Sequence, residues 1–110
     1  MGWFYLMMDR EVIHVPDINE IQKAVVSIAR FYDVKRLYLF GSYAKGVADE
    51  ESDIDLLIEK GRPMPLLKLS GMRQMVQEAL DRSVDLVTMA GIGEDLREEI
   101  AGTEILLYEE

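Results

Sequence analysis

Two short apolar runs, Leu37-Tyr38-Leu39-Phe40 and Ile54-Asp55-Leu56-Leu57-Ile58, stand on either side of Gly41-Ser42 and an acidic loop. This arrangement constrains the fold more than any other stretch of the 110 residues. Runs this short, bounded by glycine and polar residues, read as buried strands rather than helices. The second is predicted over residues 53–59 and is stopped by Gly61 and Pro63. Strands so close in sequence suit an antiparallel pair, which makes a mixed sheet the expectation. Gly41 permits a sharp turn after the first strand and close approach of another group to the backbone.

The remaining segments fill in around this pair. Asp17 followed by Glu20 has the form of a capping box, and Ile18, Ile21, Val25, Ile28 and Tyr32 recur at helical spacing, predicting a helix over 18–32. Residues 43–48 suit a short helical turn, and Asp49-Glu50-Glu51 a solvated loop. A second long helix is expected over 65–81, with Leu69, Met72, Met75, Val76, Ala79 and Leu80 along one apolar stripe. A third strand over 84–89, a short helix over 94–101 and an edge strand over 105–108 complete the reading. Helices alternating with short strands imply an α+β (or α/β) fold, a mixed β-sheet packed by helices. The length suits a single domain, residues 1–110.

The chemistry lies at the turn between the first two strands. Ser42 adds a hydroxyl, amides opening the following turn suit a phosphate, and Lys45 lies one turn on with a mobile ammonium. On a strand, residues two apart share a face, so Asp53 and Asp55 are expected to point together. Paired carboxylates repel unless a cation lies between them, and Mg²⁺ takes such oxygen ligands, completed by water and phosphate. Two ions held together can clamp the attacking and leaving oxygens of an in-line displacement. Asp85, polar between Val84 and Leu86, is the candidate third carboxylate.

Phe40-Gly41-Ser42-Tyr43-Ala44-Lys45-Gly46, with Ser52-Asp53-Ile54-Asp55-Leu56 following, resembles the signature of the DNA polymerase β-like nucleotidyltransferase superfamily. The match is closest to its minimal nucleotidyltransferases and extends over residues 17–108. The resemblance implies the nucleotidyltransferase fold, with Gly41, Ser42 and Lys45 holding the triphosphate of ATP. It implies that Asp53, Asp55 and Asp85 are catalytic residues and ligands of Mg²⁺, two ions being expected. Asp85 would also act as base toward the acceptor hydroxyl. Lys45 stands where an arginine is commoner, keeping the charge but losing bidentate geometry. Minimal members are often antitoxins paired with a HEPN-type ribonuclease toxin, neutralising it by binding, by moving AMP onto a tyrosine, or both. A non-catalytic binding module and a small-molecule nucleotidyltransferase are the alternatives. Against the second, 110 residues leave no room for an acceptor-holding domain.

Composition bears on location and partners. The chain has no cysteine and no segment of membrane-spanning hydropathy, in keeping with a cytoplasmic protein that has neither disulfides nor thiolate metal sites. The opening Met1-Gly2-Trp3-Phe4-Tyr5-Leu6-Met7-Met8 lacks signal-peptide features and reads as a strand, a partner contact, or an extension upstream of a start at Met7 or Met8. Three adjacent aromatics there suit a contact with a partner or a second copy (a homo-oligomer), or burial on the sheet edge. His14 is expected on a strand, and the seven methionines in the core. Tyr43 is open to two readings, a platform for a purine or a surface aromatic. Glu94, Asp95, Glu98, Glu99, Glu109 and Glu110 read as a solvated acidic face. Twelve basic against twenty-one acidic residues give a net charge of −9, which repels nucleic-acid backbones and suits a basic protein partner. The chain alone is therefore expected not to bind RNA or duplex DNA. Low-micromolar affinity in a fluorescence-anisotropy titration at physiological salt would contradict this.

Overall fold

A computed structural model describes residues 14–110. The expectations for the aromatic N-terminus lie outside the described residues. Helix α1, Ile18–Phe31, opens with the predicted capping box: Asp17 Oδ1 accepts the Glu20 N–H at 2.8 Å, and Glu20 Oε1 accepts the Asp17 N–H at 3.4 Å. Two orphan donors of the first turn are thereby satisfied. His14 lies in the irregular segment before this helix, not on a strand, and its Nε2 meets Glu20 Oε2 at 2.6 Å.

Strand β1, Val34–Phe40, leads into a five-residue helix α2, Gly41–Lys45; strand β2, Ile54–Lys60, follows. Helix α3, Leu66–Leu80, precedes strand β3, Val84–Thr88. A 3₁₀ turn at Met89–Gly91, helix α4, Glu94–Ile100, and strand β4, Ile105–Glu109, complete the described chain. The sheet order is β3-β2-β1-β4. β1 runs antiparallel to β2 and β4, whereas β2 and β3 are parallel, so the sheet is mixed as expected.

Period-two burial divides the sheet into two different faces. Leu37, Leu39, Ile54, Leu56, Ile58, Val84 and Leu86 pack with Ile21, Val25 and Ile28 of α1 and Met72 and Val76 of α3. On the opposite face only Phe40, Leu57 and Ile100 form a buried cluster, beneath α4. β1 begins three residues before its apolar run because Arg36 lies on this second face. There its guanidinium bridges Glu59 on β2 and Glu109 on β4, the latter at 2.6 Å. This cross-strand strap lets charge sit within a strand.

Some expected burial is absent. Met75 is 40% exposed and Ala79 is exposed, so the apolar stripe of α3 narrows to Leu69, Met72, Val76 and Leu80. Among the described methionines only Met72 is fully buried. The acidic stretch of α4 and the C-terminus is exposed, as expected. No helix among the described residues is long and apolar enough to cross a membrane.

Tyr43 follows neither sequence reading. It is 4% exposed and packs in the helix-side core, where its hydroxyl has no partner among the described residues. A buried hydroxyl without a partner loses its hydration for no return. Tyr43→Phe is therefore expected to leave the melting temperature unchanged or raise it. A loss of more than about 1 kcal/mol in urea denaturation, the size of one net hydrogen bond, would show that the hydroxyl is bonded in solution.

Candidate active site

The turn from β1 into α2 brings Gly41 against Asp55, and Asp53 and Asp85 lie near enough to act on its charge. Gly41 has φ of +73°, a left-handed conformation that side-chain-bearing residues rarely adopt. A Cβ built there would lie 2.2 Å from Asp55 Oδ2, so the carboxylate occupies the space that a side chain at Gly41 would need. Glycine is required twice, by dihedral and by contact. Ser42 is partly exposed. Gly46, at φ +75°, ends α2 in a left-handed cap. Lys45, in the last turn, is exposed.

The three carboxylates differ in setting. Asp55 lies within β2, level with Phe40 on one neighbouring strand and with Asp85 on the other. Side chains paired in this way share a face, which puts Asp55 and Asp85 together on the face away from α1 and α3. Asp53 is exposed and precedes β2, which starts at Ile54, so the Asp-x-Asp pair is half strand and half loop. Asp85 is exposed on the edge strand, and Asp55 is half-buried. Burial above all, then the charges of Asp85 and Asp53, pushes the Asp55 carboxyl up to about 6. The buried Phe40 lies level with Asp55 on β1, and Gly41 lies against its Oδ2.

The loop before Asp53 is more ordered than its charge suggests. Asp49 Oδ1 accepts the Glu51 N–H at 2.9 Å and the Ser52 hydroxyl at 3.1 Å, and the Asp49 N–H donates to Ser52 Oγ at 2.9 Å. These bonds, the one from Glu51 foremost, hold the Asp49 carboxyl below its ordinary range. Arg82 ties the same loop to the approach of α1, donating to the Glu50 carbonyl and, at 2.9 Å, to that of His14. Nothing in the sequence marks Arg82 for this, because its partners are backbone carbonyls far away along the chain.

Among the described residues no three acidic or histidine side chains close around a single point. The donor set is all oxygen, partly exposed and mutually repelling. That fits a hard divalent cation whose remaining ligands come from water and a substrate phosphate, not a closed protein cage.

Asp55 sets a measurable pH dependence. Its folded pKa lies above the ordinary value of about 3.9, so native protein binds the proton more tightly than unfolded chain. Stability from this group is complete below that ordinary value and is lost as pH rises through about 6. Asp55→Asn is therefore expected to melt above wild type at pH 8 in chelator and level with it near pH 4. A divalent cation should narrow the gap by stabilising wild type alone. A mutant less stable than wild type at pH 8 would contradict this.

Comparison with known proteins identifies the family. The chain matches the nucleotidyltransferase domain family over residues 18–107. MJ0435 of Methanocaldococcus jannaschii, assigned as a protein adenylyltransferase, is 38% identical over 84 residues, covering 76% of this chain and 90% of its own. A solved structure described as a minimal nucleotidyltransferase has a TM-score of 0.72 at 30% identity, over 82% of this chain and 95% of that one. A chain in the complex of tri-AMPylated Shewanella oneidensis HEPN toxin with MNT antitoxin shares the fold. Its TM-score is 0.65 at 22% identity, over 82% of this chain and 71% of that one. With a family match across most of its length, this chain belongs to the nucleotidyltransferase domain family and is a minimal nucleotidyltransferase.

Proposed function

We propose that residues 1–110 form one cytoplasmic nucleotidyltransferase domain that moves AMP from ATP to a tyrosine hydroxyl of a HEPN-type ribonuclease, acting as its antitoxin. The observation that carries the reading is Gly41 packed on Asp55, with Asp85 level across the neighbouring strand. Adenylyl transfer to protein is supported by the assignment of MJ0435. The HEPN partner is supported by the family resemblance and by the complex in which a chain of the same fold was solved.

In this reading the amides opening α2 and the Ser42 hydroxyl hold the triphosphate, and Lys45 adds a mobile positive charge. Asp53, Asp55 and Asp85 hold Mg²⁺, which when bound offsets charge on the phosphates and on the leaving pyrophosphate. Asp55, the least hydrated of the three, fixes the nucleotide end of the site. Asp85, exposed on the edge strand, meets the incoming acceptor and takes the hydroxyl proton on a carboxylate oxygen. The tyrosine oxygen bonds to the α-phosphorus as the bond to the bridging oxygen breaks, and pyrophosphate leaves. The described elements are used in building the sheet and its helices, so the acceptor supplies its own docking surface. The acidic exterior suits a basic one.

The expected outcome is co-elution with a co-expressed HEPN partner and a gain of ~329 Da per AMP on that partner by intact mass, from one-for-one transfer stoichiometry. Asp53→Asn/Asp55→Asn should abolish the mass gain while leaving co-elution intact. Co-elution without mass gain by wild type would support the binding module instead. Absence of both would end the proposal.

A further inference from the structure

The edge of the sheet is closed from outside at the residue before the third carboxylate. Val84 opens β3, and its peptide groups face away from β2, where an edge strand ordinarily leaves donors and acceptors free. Here two side chains of α3 occupy them. Arg73 Nε donates to the Val84 carbonyl at 2.8 Å, and Gln77 Oε1 accepts the Val84 N–H at 3.1 Å. Arg73 and Gln77 are four residues apart, hence on one face of α3, flanking the line of Met72 and Val76 that anchors this helix to the core. Among the described residues no carboxylate lies within ion-pair distance of Arg73, so its bond to this carbonyl is not incidental to a salt bridge.

We infer that Arg73 and Gln77 are positioning residues for Asp85, holding its strand in place along β2 through the N–H and C=O of Val84. The inference rests on the reading of Asp85 as a metal ligand. The packing of Val84 and Leu86 decides which face Asp85 occupies, because a one-residue slip would turn it into the core. Packing of branched side chains tolerates small sliding, however, whereas hydrogen bonds to both the N–H and the C=O of one residue do so less readily. The clamp holds β3 at the residue adjoining the carboxylate, where a small displacement changes the distance to Asp55 most directly. Asp85, being exposed, has no burial of its own to hold it. Outer groups that orient a metal ligand commonly change metal affinity by about 10- to 100-fold when removed.

The test uses Mn²⁺ as the probe, with its affinity measured by electron paramagnetic resonance in the presence of a non-hydrolysable ATP analogue. Arg73→Met and Gln77→Met are expected to weaken Mn²⁺ binding about tenfold. Gln77→Glu, which keeps an acceptor for the Val84 N–H, should stay close to wild type. Exchange of the Val84 amide should quicken in Gln77→Met and not in Gln77→Glu. In an Asp85→Asn background, Arg73→Met and Gln77→Met should have no further effect, because they act through the group already removed. Wild-type Mn²⁺ affinity in both methionine variants, or losses that multiply with that of Asp85→Asn, would overturn the inference while leaving Asp85 as a ligand. If Asp85→Asn itself binds Mn²⁺ normally, the ligand reading fails and the inference falls with it. Should Arg73→Met fail to fold, the Gln77 pair carries the same comparison.

Discussion

The contact between the Gly41 backbone and the Asp55 carboxylate is the constraint around which the candidate site is arranged. Oδ2 lies where any Cβ at position 41 would have to go, and φ at that residue is positive. The chain can leave β1, start α2 and still pass close to β2 only because nothing projects from Gly41. The buried Phe40 lies level with Asp55 on the neighbouring strand. Burial, with Asp85 and Asp53 adding negative charge, pushes the Asp55 carboxyl up to about 6. Burial and neighbouring charge therefore act together against the ionised form of Asp55.

The two faces of the sheet divide the work. One carries the main apolar core, buried under α1 and α3, which fixes register. The other carries Asp55, Asp85 and the Arg36 strap, with only a small cluster under α4. The main buried core lies on the first face, and the second carries the exposed and half-buried carboxylates. The parallel pairing of β2 with β3 sets the carboxylates level, whereas the antiparallel pairing of β1 with β2 brings the turn at Gly41 back over them.

Much of this was readable from residue order. The glycine turn, the alternation of Ile54, Leu56 and Ile58 with Asp55, and the capping box at Asp17 are local signals, and each element appears where its signal lies. The misses share a different cause. Lys35-Arg36 hid the start of β1 because the charge is compensated by Glu59 and Glu109 from other strands. Tyr43 looked like a surface or stacking residue because its burial depends on the core of α1 and α3, not on its neighbours in sequence. Met75 and Ala79 have helical spacing, yet the core is too narrow to cover them. His14 between two β-branched residues resembled a strand, but a hydrogen bond with Glu20 and the turn into α1 take it elsewhere. Arg73, Gln77 and Arg82 were invisible for one reason: their partners are main-chain groups, which carry no sequence signature.

The central claim is that ATP and a divalent ion meet between Gly41-Ser42 and the carboxylates of Asp55 and Asp85. A crystal structure with a non-hydrolysable ATP analogue and Mn²⁺, recorded at the manganese edge, tests it most directly. The account predicts an anomalous peak ligated by Asp55 and at least one of Asp53 and Asp85, with phosphate oxygens on the amides of Gly41 and Ser42. A nucleotide bound elsewhere, for instance in the cavity of about 460 Å³ lined by Val15, Pro16, Ile18 and Tyr43, with no metal at the carboxylates, would contradict it.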